Sequence, residues 1–222
     1  MTRPLYVFDL DETLIHADSS VLWNQFIVEK GLVTSPDFLE EDKRLMDQYA
    51  SGDQDLNEYL SFAIAPLLSI PVEKIAELVD ECVESKILST VYPQARTLIE
   101  TLRAQGKEML IISASSSFIV EGVGKRLGIP VALGVDLEKS NGCYTSKVRG
   151  VPSYKEGKVT RLKSWIAAQN KTFDSIHFFT DSINDLPSCL NADFVYLVNP
   201  CPKLREYAKD TQWEILNWSL DD

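Results

Sequence analysis

The stretch VFDLDETL (residues 7–14) places three carboxylates, Asp9, Asp11 and Glu12, directly behind a short apolar run. The apolar residues of LYVFDL (5–10) predict a short buried strand. Carboxylates this close repel one another and resist burial. Acids at the end of a buried strand therefore indicate a site whose chemistry needs them.

Beyond residue 91, apolar strands alternate with amphipathic helices. The predicted helices cover 93–106, 115–128 and about 157–169, with a short one after Asn184. The predicted strands cover 108–113, 129–135, 175–180 and 194–199, and Asn141-Gly142 predicts a hairpin turn. This alternation predicts an α/β fold of the Rossmann-like, doubly wound type, with helices on both faces of a parallel sheet.

The segment from 22 to 88 has a different pattern, which is helical throughout. Pro36, Gly52, Pro66 and Pro71 divide it into several helices. Because it interrupts the alternation after the first strand, residues 16–90 are predicted to form an inserted α-helical cap. Residues 1–15 and 91–222 are then the catalytic core.

The charge of the chain lies mainly in the predicted cap. The chain of 222 residues has a formal net charge of −11, and its residues 16–90 contain 15 Asp or Glu against 5 Lys or Arg. So acidic a surface argues against nucleic acid and anionic membranes as partners. It is typical of a solvated helical face, and it also favours a small cationic or zwitterionic ligand.

Targeting and redox signals are absent from the sequence. No apolar run approaches the roughly 20 residues of a membrane helix, and the first residues do not resemble a signal peptide. The four cysteines show no CxxC spacing and are predicted to be reduced. We expect a cytoplasmic protein that acts on a small molecule; the oligomeric state is open.

Three predicted strands end in polar side chains: Asp9, Ser113 and Asp181. Ligands of open parallel sheets bind at the carboxyl ends of the strands, so these residues are expected to meet in one crevice. Clustered carboxylates are stable around a hard cation such as Mg²⁺, for which Asp9, Asp181 and Asp185 are candidates. Because a substrate phosphate commonly completes the coordination shell of Mg²⁺, the candidate ligands suggest a reaction on a phosphate group.

The remaining polar residues fit phosphate chemistry. Ser113 and the N–H groups of a helix beginning near Ser115 can bind a phosphate, and Lys155 or Lys158 can neutralise its oxygens. A carboxylate such as Asp9 can serve as nucleophile, forming an aspartyl-phosphate. A second acid, Asp11, can then protonate the leaving group and later take a proton from water.

Four segments carry a resemblance to a known family. VFDLDETL, LIISAS, EGKVTRLKSW and FFTDSINDLP resemble, in order, the four motifs of the haloacid dehalogenase-like phosphohydrolases. They span residues 7–187, and the helical insertion between the first and second motifs is similar to that of the phosphoserine-phosphatase-like subgroup.

The resemblance implies a role for each acid of the motifs. Asp9 would be the nucleophile and a Mg²⁺ ligand. Asp11 would be the general acid/base, with its backbone carbonyl on the metal. Asp181 would be the third protein ligand, and Asp185 would orient a metal-bound water.

It also implies the residues that hold the phosphate group. Ser113, Ala114 and Asn184 would surround the phosphate. Lys158, rather than Lys155, would stabilise the nucleophile and the transferring group, because it falls in the first turn of its helix as in the family.

The implied function is a Mg²⁺-dependent phosphomonoesterase for a small metabolite, with an amine-bearing substrate such as phosphoserine or histidinol phosphate. Asp18 matches the acid that binds the substrate amine in phosphoserine phosphatases. Arg44, the only arginine in 16–90, aligns poorly with the arginine that binds the carboxylate there, which counts against phosphoserine. Tyr59 is assigned to the core of the cap.

Two alternatives stay open. A phosphotransferase would use the same intermediate and would be revealed by added alcohols that change the product ratio. A non-catalytic regulatory protein on this scaffold would be expected to carry a broken motif, and all four motifs are intact.

Overall fold

The computed structural model describes residues 3–51 and 56–221. The strands are β1 (Pro4–Phe8), β2 (Glu108–Ser116), β3 (Val131–Val135), β4 (Leu137–Ser140), β5 (Cys143–Val148), β6 (Ser175–Thr180), β7 (Phe194–Val198) and β8 (Glu214–Leu216). Six of them form one parallel sheet in the order β3-β2-β1-β6-β7-β8. The chain therefore builds outward in both directions from β1, and the switch point of the sheet lies between β1 and β6.

Helices fill the connections between the strands. They are α1 (Ser19–Glu29), α2 (Phe38–Ser51), α3 (Leu56–Ile64), α4 (Val72–Cys82), α5 (Pro93–Ala104), α6 (Ser117–Leu127), α7 (Glu156–Ala167), α8 (Leu186–Cys189) and α9 (Pro202–Ala208). A turn of π-helix, Val83–Ile87, extends α4. Within the described ranges, no helix is both long enough and apolar enough to cross a membrane.

The sheet is covered on both faces, which confirms the predicted doubly wound α/β fold. Alternate residues of a strand point to opposite faces. In β1, Leu5 and Val7 pack into the apolar cluster that includes Leu162 of α7, whereas Phe8 packs into the cluster on the other face, with α5 and α6. Each of these three β1 side chains is fully buried.

The helices that follow β1 share an apolar core with the sheet. The ring centroids of Trp23 in α1 and Phe118 in α6 lie 5.6 Å apart. A Cβ on Gly122 of α6 would lie 2.6 Å from Cγ1 of Val79, so the missing side chain lets α4 pack closely against α6. The division into a core and a cap of residues 16–90 remains a proposal, and any cap movement must act on this shared packing.

The hairpin predicted at Asn141-Gly142 is confirmed. Strands β4 and β5 pair antiparallel around these two residues, which have φ values of 51° and 78°. The carbonyl of Gly142 accepts a hydrogen bond of 2.9 Å from the N–H of Val72 at the start of α4. The turn of the hairpin is thus hydrogen-bonded to the first residue of α4.

The boundary between β2 and α6 differs from the prediction. The predicted strand ends at 113 and the helix begins near Ser115, but β2 runs to Ser116 and α6 begins at Ser117. The regular pairing of β2 with β3 is nevertheless broken between Ile112 and Ser116. Ser113 to Ser115 therefore form an irregular strand end, and the hydroxyls of both serines reach Asp11.

The C-terminal part of the fold was incompletely predicted. FVYLVN (194–199) is not the last strand, because α9 and β8 follow it and β8 pairs with β7 at the sheet edge. A strand of three residues shows too little alternation to be recognised. Gly52, predicted to divide two helices, lies outside the described residues. All four cysteines are free thiols.

Candidate active site

Asp9 follows directly on β1, in the centre of the sheet. Its backbone N–H donates to the carbonyl of Phe179 at 2.9 Å, which continues the pairing of β1 with β6 by one residue. The residue is 6% exposed. The chain then turns sharply, with Glu12 in the left-handed region at a φ of 55°.

Lys158 links two of the predicted acids. It is the third residue of α7, and its Nζ donates to Oδ1 of Asp9 at 2.9 Å and to Oδ2 of Asp185 at 2.7 Å. A Cβ on Gly157 would lie 2.0 Å from the carbonyl oxygen of Pro152, so only glycine lets the first turn of α7 begin here. Lys155 lies elsewhere, with its Nζ 4.9 Å from the centroid of the Tyr154 ring.

Asp181 and Asp185 are presented by the turn that follows β6. Oδ2 of Asp185 accepts a second hydrogen bond, from the Thr180 hydroxyl at 2.8 Å. Oδ1 of Asp181 accepts one from the Thr13 hydroxyl at 3.3 Å, which joins this turn to the loop after β1. Asp185 is 2% exposed, so its charge is balanced mainly by Lys158.

Asp11 is held by three donors. Oδ1 accepts from the backbone N–H of Ser19 at 2.6 Å, and Oδ2 accepts from the hydroxyls of Ser113 at 3.0 Å and Ser115 at 2.8 Å. The Ser113 hydroxyl also accepts from the N–H of Ser115 at 3.0 Å. Because a hydroxyl can donate or accept, these serines can hold Asp11 in either protonation state.

Two acids at this edge of the sheet, Asp9 and Asp181, have strongly raised pKa values. Burial raises the pKa of Asp9 to about 7, Lys158 opposes the shift, and Asp185 and Asp11 add to it. Burial, and then the charge of Asp9, hold the pKa of Asp181 well above its usual range. Burial lowers the pKa of Lys158, but Asp185 and Asp9 outweigh it and hold that pKa above its ordinary value, so the lysine is fully charged.

The donor set at this edge fits a hard divalent cation. The charge of Asp9 raises the pKa of Asp181, so these two carboxylates repel each other unless a cation lies with them. Carboxylate and carbonyl oxygens are the ligands that Mg²⁺ prefers, and it completes its shell with water. The described residues contain no group of three or more His, Cys, Asp or Glu side chains arranged around a metal. A site formed by two carboxylates and the backbone carbonyl of Asp11 needs only two such side chains.

These side chains line one cavity of about 270 Å³. We call the residues at the sheet edge the pocket floor: Asp9, Asp11, Lys158, Asp181 and Asp185. We call the lining residues of the helical segment and of the loop before it the pocket roof: Asp18, Ser20, Met46, Leu56 and Tyr59.

The other predicted residues occupy different places around the pocket. Ala114 and Asn184 line it. Ser113 is fully buried beside it, with its hydroxyl on Asp11. Arg44 does not reach it, because its guanidinium pairs with Glu41 on the surface of α2 at 2.6 Å.

Asp18 has two roles in the structure. Its Oδ1 accepts from the N–H groups of Ser20 at 2.8 Å and Val21 at 3.0 Å, which caps α1. Its side chain also lines the pocket. Burial and then the charge of Asp11 raise its pKa to about 8, so its charge is costly unless a cation lies nearby.

Sequence reasoning missed two parts of the pocket. Ser115 donates to Asp11, a role that the serine run SASSS gave no means to assign to one serine. Tyr59, assigned to the core of the cap, lines the pocket instead, together with Met46 and Leu56. Their apolar pattern resembles that of a helix core, and only the packing of the helices shows which of them faces the site.

Comparisons with known proteins show the family of the chain. Residues 6–189 match the sequence model of the family described as haloacid dehalogenase-like hydrolase. The chain therefore belongs to that family, as the four motifs predicted, and it is a phosphatase of that family.

Individual relatives cover nearly the whole chain. A histidinol-phosphatase of Neisseria meningitidis is 36% identical over 220 residues, which are 97% of this chain and 99% of that protein. A protein of unknown function from Bordetella pertussis has a crystal structure with a TM-score of 0.89 and 28% identity, covering 98% of this chain and 99% of its own. A substrate-bound phosphoserine phosphatase has a TM-score of 0.71 at 18% identity, covering 97% and 93%, which shows the shared fold.

Proposed function

We propose that the protein is a Mg²⁺-dependent phosphomonoesterase that hydrolyses a small, amine-bearing phosphorylated metabolite through an aspartyl-phosphate on Asp9. The observation that carries the proposal is the floor itself. Lys158 bridges Asp9 and Asp185, while Asp11 lies in the same pocket on its own set of donors. The family membership supports the reaction class, and we propose the cytoplasm as its location.

In the first step, an oxygen of Asp9 attacks phosphorus and the ester P–O bond breaks. Asp11 gives its proton to the departing alkoxide, which leaves as the alcohol. In the second step, Asp11 takes a proton from a water whose oxygen attacks phosphorus. The bond to Asp9 then breaks, and inorganic phosphate and free Asp9 result.

The other residues of the floor act on the charge of the transferring group. Lys158 neutralises its oxygens, and Ser113, Asn184 and the irregular strand end around Ala114 supply hydrogen-bond donors. Asp9, Asp181 and the carbonyl of Asp11 would hold Mg²⁺, with Asp185 orienting its water, and the ion would supply further charge stabilisation. Such preorganised charges supply most of the rate in phosphoryl transfer.

The roof supports an amine-bearing substrate that has no carboxylate. Its one charged residue is Asp18, and Lys158 is the only Lys or Arg among the described residues that line the pocket. Because Lys158 pairs with Asp9 and Asp185 and serves the transferring group, a substrate carboxylate would have no second Lys or Arg to pair with among these lining residues. The name of the Neisseria relative, histidinol-phosphatase, supports the same choice, since histidinol phosphate has an amine and no carboxylate.

The reaction class is tested with Asp9→Asn. We expect at least a 10³-fold loss of Mg²⁺-dependent hydrolysis of an aryl phosphate, because an amide is a poor nucleophile. Asp210→Asn, on an exposed acid outside the pocket, is the matched control and should keep wild-type turnover. Wild-type turnover in Asp9→Asn would contradict the mechanism.

The substrate class is tested with three phosphate esters of similar size. Phosphoethanolamine has the amine alone, phosphoserine adds a carboxylate to it, and glycerol phosphate has neither. We expect kcat/KM to be highest for phosphoethanolamine within this set and higher still for histidinol phosphate. A preference for phosphoserine would contradict the reading of the roof.

A further inference from the structure

Asp42 is a buried acid that the proposed mechanism does not use. It lies on α2, is 2% exposed, and accepts two hydrogen bonds on the same oxygen, Oδ1. Asn24 Nδ2 of α1 donates to it at 2.8 Å, and the Tyr59 hydroxyl of α3 donates to it at 3.5 Å. One carboxylate thus connects three helices of the segment that supplies the roof.

Stability alone does not account for this carboxylate. Removing a charge from water is expensive, and apolar replacements of buried polar clusters often stabilise a protein. Burial raises the pKa of Asp42, although Asn24 and Tyr59 oppose the shift. Oδ1 of Asn24, within the part of the chain that the structure describes, has no hydrogen-bond partner. The cluster therefore costs free energy, which indicates a role outside stability.

The connection to function runs through Tyr59, which lines the pocket with Asp18 and Ser20. Burial, followed by the charges of Asp18 and Asp42, raises the pKa of the phenol, while a hydrogen bond to the Ser20 side chain acts the other way. The phenol therefore keeps its proton. Because that proton points to Asp42, the oxygen offers its lone pairs to other groups, and only a donor can pair with it.

We propose that Asp42 is a positioning residue that fixes Tyr59 as a hydrogen-bond acceptor, so that Tyr59 and Asp18 together form a subsite for the ammonium group of the substrate. This inference rests on the proposed function, since it assumes an amine-bearing substrate. An ammonium has three donors and no acceptor, so it matches a carboxylate beside an accepting phenol oxygen. A hydroxyl or carboxylate at the same place gains less or is repelled.

The first test is Tyr59→Phe, which removes the hydroxyl and keeps the ring. With phosphoethanolamine we expect KM to rise about tenfold or more, as for the loss of a hydrogen bond to a charged group, with kcat changed less than about twofold. With an aryl phosphate that has no amine, KM should rise clearly less than with phosphoethanolamine, and the ratio of the two KM increases is the readout. Tyr196→Phe is the matched control, because it removes a hydroxyl that bonds His177 Nδ1 at 3.2 Å outside the pocket.

Variants of Asp42 separate positioning from a structural role. Asp42→Asn keeps an oxygen that can accept from Tyr59, so this variant should retain most of the wild-type preference for the amine substrate. Asp42→Leu should raise KM for phosphoethanolamine as much as Tyr59→Phe does. The double variant should be no worse than either single one, because both changes remove the same interaction.

The outcomes distinguish this inference from the proposed function. If the wild type prefers phosphoethanolamine over glycerol phosphate but Tyr59→Phe keeps that preference, the inference is wrong and the proposed function stands. Equal KM increases for the amine and aryl substrates would also overturn it, since they would show a general loss of pocket structure. If the wild type shows no amine preference, the substrate class fails and the inference fails with it.

Discussion

The floor and the roof of the pocket treat charge in opposite ways. The floor crowds four carboxylates together and places a charged lysine between two of them, at 2.9 and 2.7 Å. The roof has one carboxylate, Asp18, beside apolar and hydroxyl side chains. The floor thus contains a cation of its own beside the reacting group, which offsets part of its negative charge, whereas the roof as defined above has one carboxylate and no cation.

This difference assigns the reaction step to the floor and substrate specificity to the roof. The residues of the floor stand on strand ends and on the first turn of α7, where the backbone of the sheet fixes them. The residues of the roof come from the loop before α1 and from three helices, α1, α2 and α3, which lie outside the sheet. Substitutions in the floor should therefore change kcat for every substrate, and those in the roof should change the order of substrates.

The largest combined loss of stability and turnover is expected for Lys158→Met. It leaves the buried carboxylates of Asp9 and Asp185 without a cation, which typically costs about 3–5 kcal/mol and lowers Tm by roughly 10 °C. Turnover should fall by about 10²-fold or more, because the charge beside the nucleophile is lost. Thermal unfolding and steady-state kinetics measure the two effects.

Lys155→Met is the matched control for that variant. The ammonium of Lys155 lies over the Tyr154 ring and not among the acids, so we expect Tm and turnover close to wild type. If Lys155→Met inactivates the enzyme and Lys158→Met does not, the assignment of the site lysine is reversed.

A smaller and substrate-dependent effect is expected for Asp18→Asn. Hydrolysis of phosphoethanolamine should lose about 10- to 100-fold in kcat/KM, and hydrolysis of an aryl phosphate should change little. Asparagine is as good a helix N-cap as aspartate, so α1 is preserved. An equal loss for both substrates would show that Asp18 does not select between them.

The same variant should gain stability with a defined pH dependence. Burial raises the pKa of Asp18 from 3.8 to about 8, so the native state binds this proton more tightly than the unfolded chain does. Asp18 therefore destabilises the wild type progressively as the pH rises from about 4 to about 8, and Asp18→Asn lacks this contribution. We expect the difference in Tm to grow in favour of Asp18→Asn over that interval; a difference independent of pH would contradict the assigned pKa.

The smallest effect is expected for Arg44→Gln. Its guanidinium is paired with Glu41 and Gln48 on the surface of α2, away from the pocket. Exposed pairs of this kind contribute little, so KM for phosphoserine and for phosphoethanolamine should stay within about twofold of wild type. A selective rise in KM for phosphoserine would show that Arg44 contacts the bound substrate, and it would support phosphoserine as the substrate.

The floor was predictable from sequence because its parts follow local rules. In an open parallel sheet, ligands bind at the carboxyl ends of the strands, so a polar residue that directly follows a buried strand is expected to line the binding crevice. Asp9, Ser113 and Asp181 were placed in the crevice on that basis, and the resemblance chose Lys158 over Lys155. In the structure Lys158 contacts two carboxylates, Asp9 and Asp185, and its role in catalysis stays a prediction.

The roof was not predictable in the same way. Tyr59, Met46 and Leu56 lie on helices whose apolar faces serve both the core and the pocket, and periodicity does not distinguish these uses. The bond between Asn24 and Asp42 joins residues of different helices, so no spacing within one element reveals it. Strand β8 was missed for a simpler reason, since three edge residues carry almost no pattern.

The crowding of acids in this pocket has a thermodynamic consequence that does not involve turnover. Each buried carboxylate with a raised pKa is a store of unfavourable charge that folding had to overcome. Any cation that fits between these groups relieves that cost in the native state only, so it raises the melting temperature by mass action. Heating the protein with a series of amines and divalent ions would therefore rank its ligands even in the inactive Asp9→Asn variant.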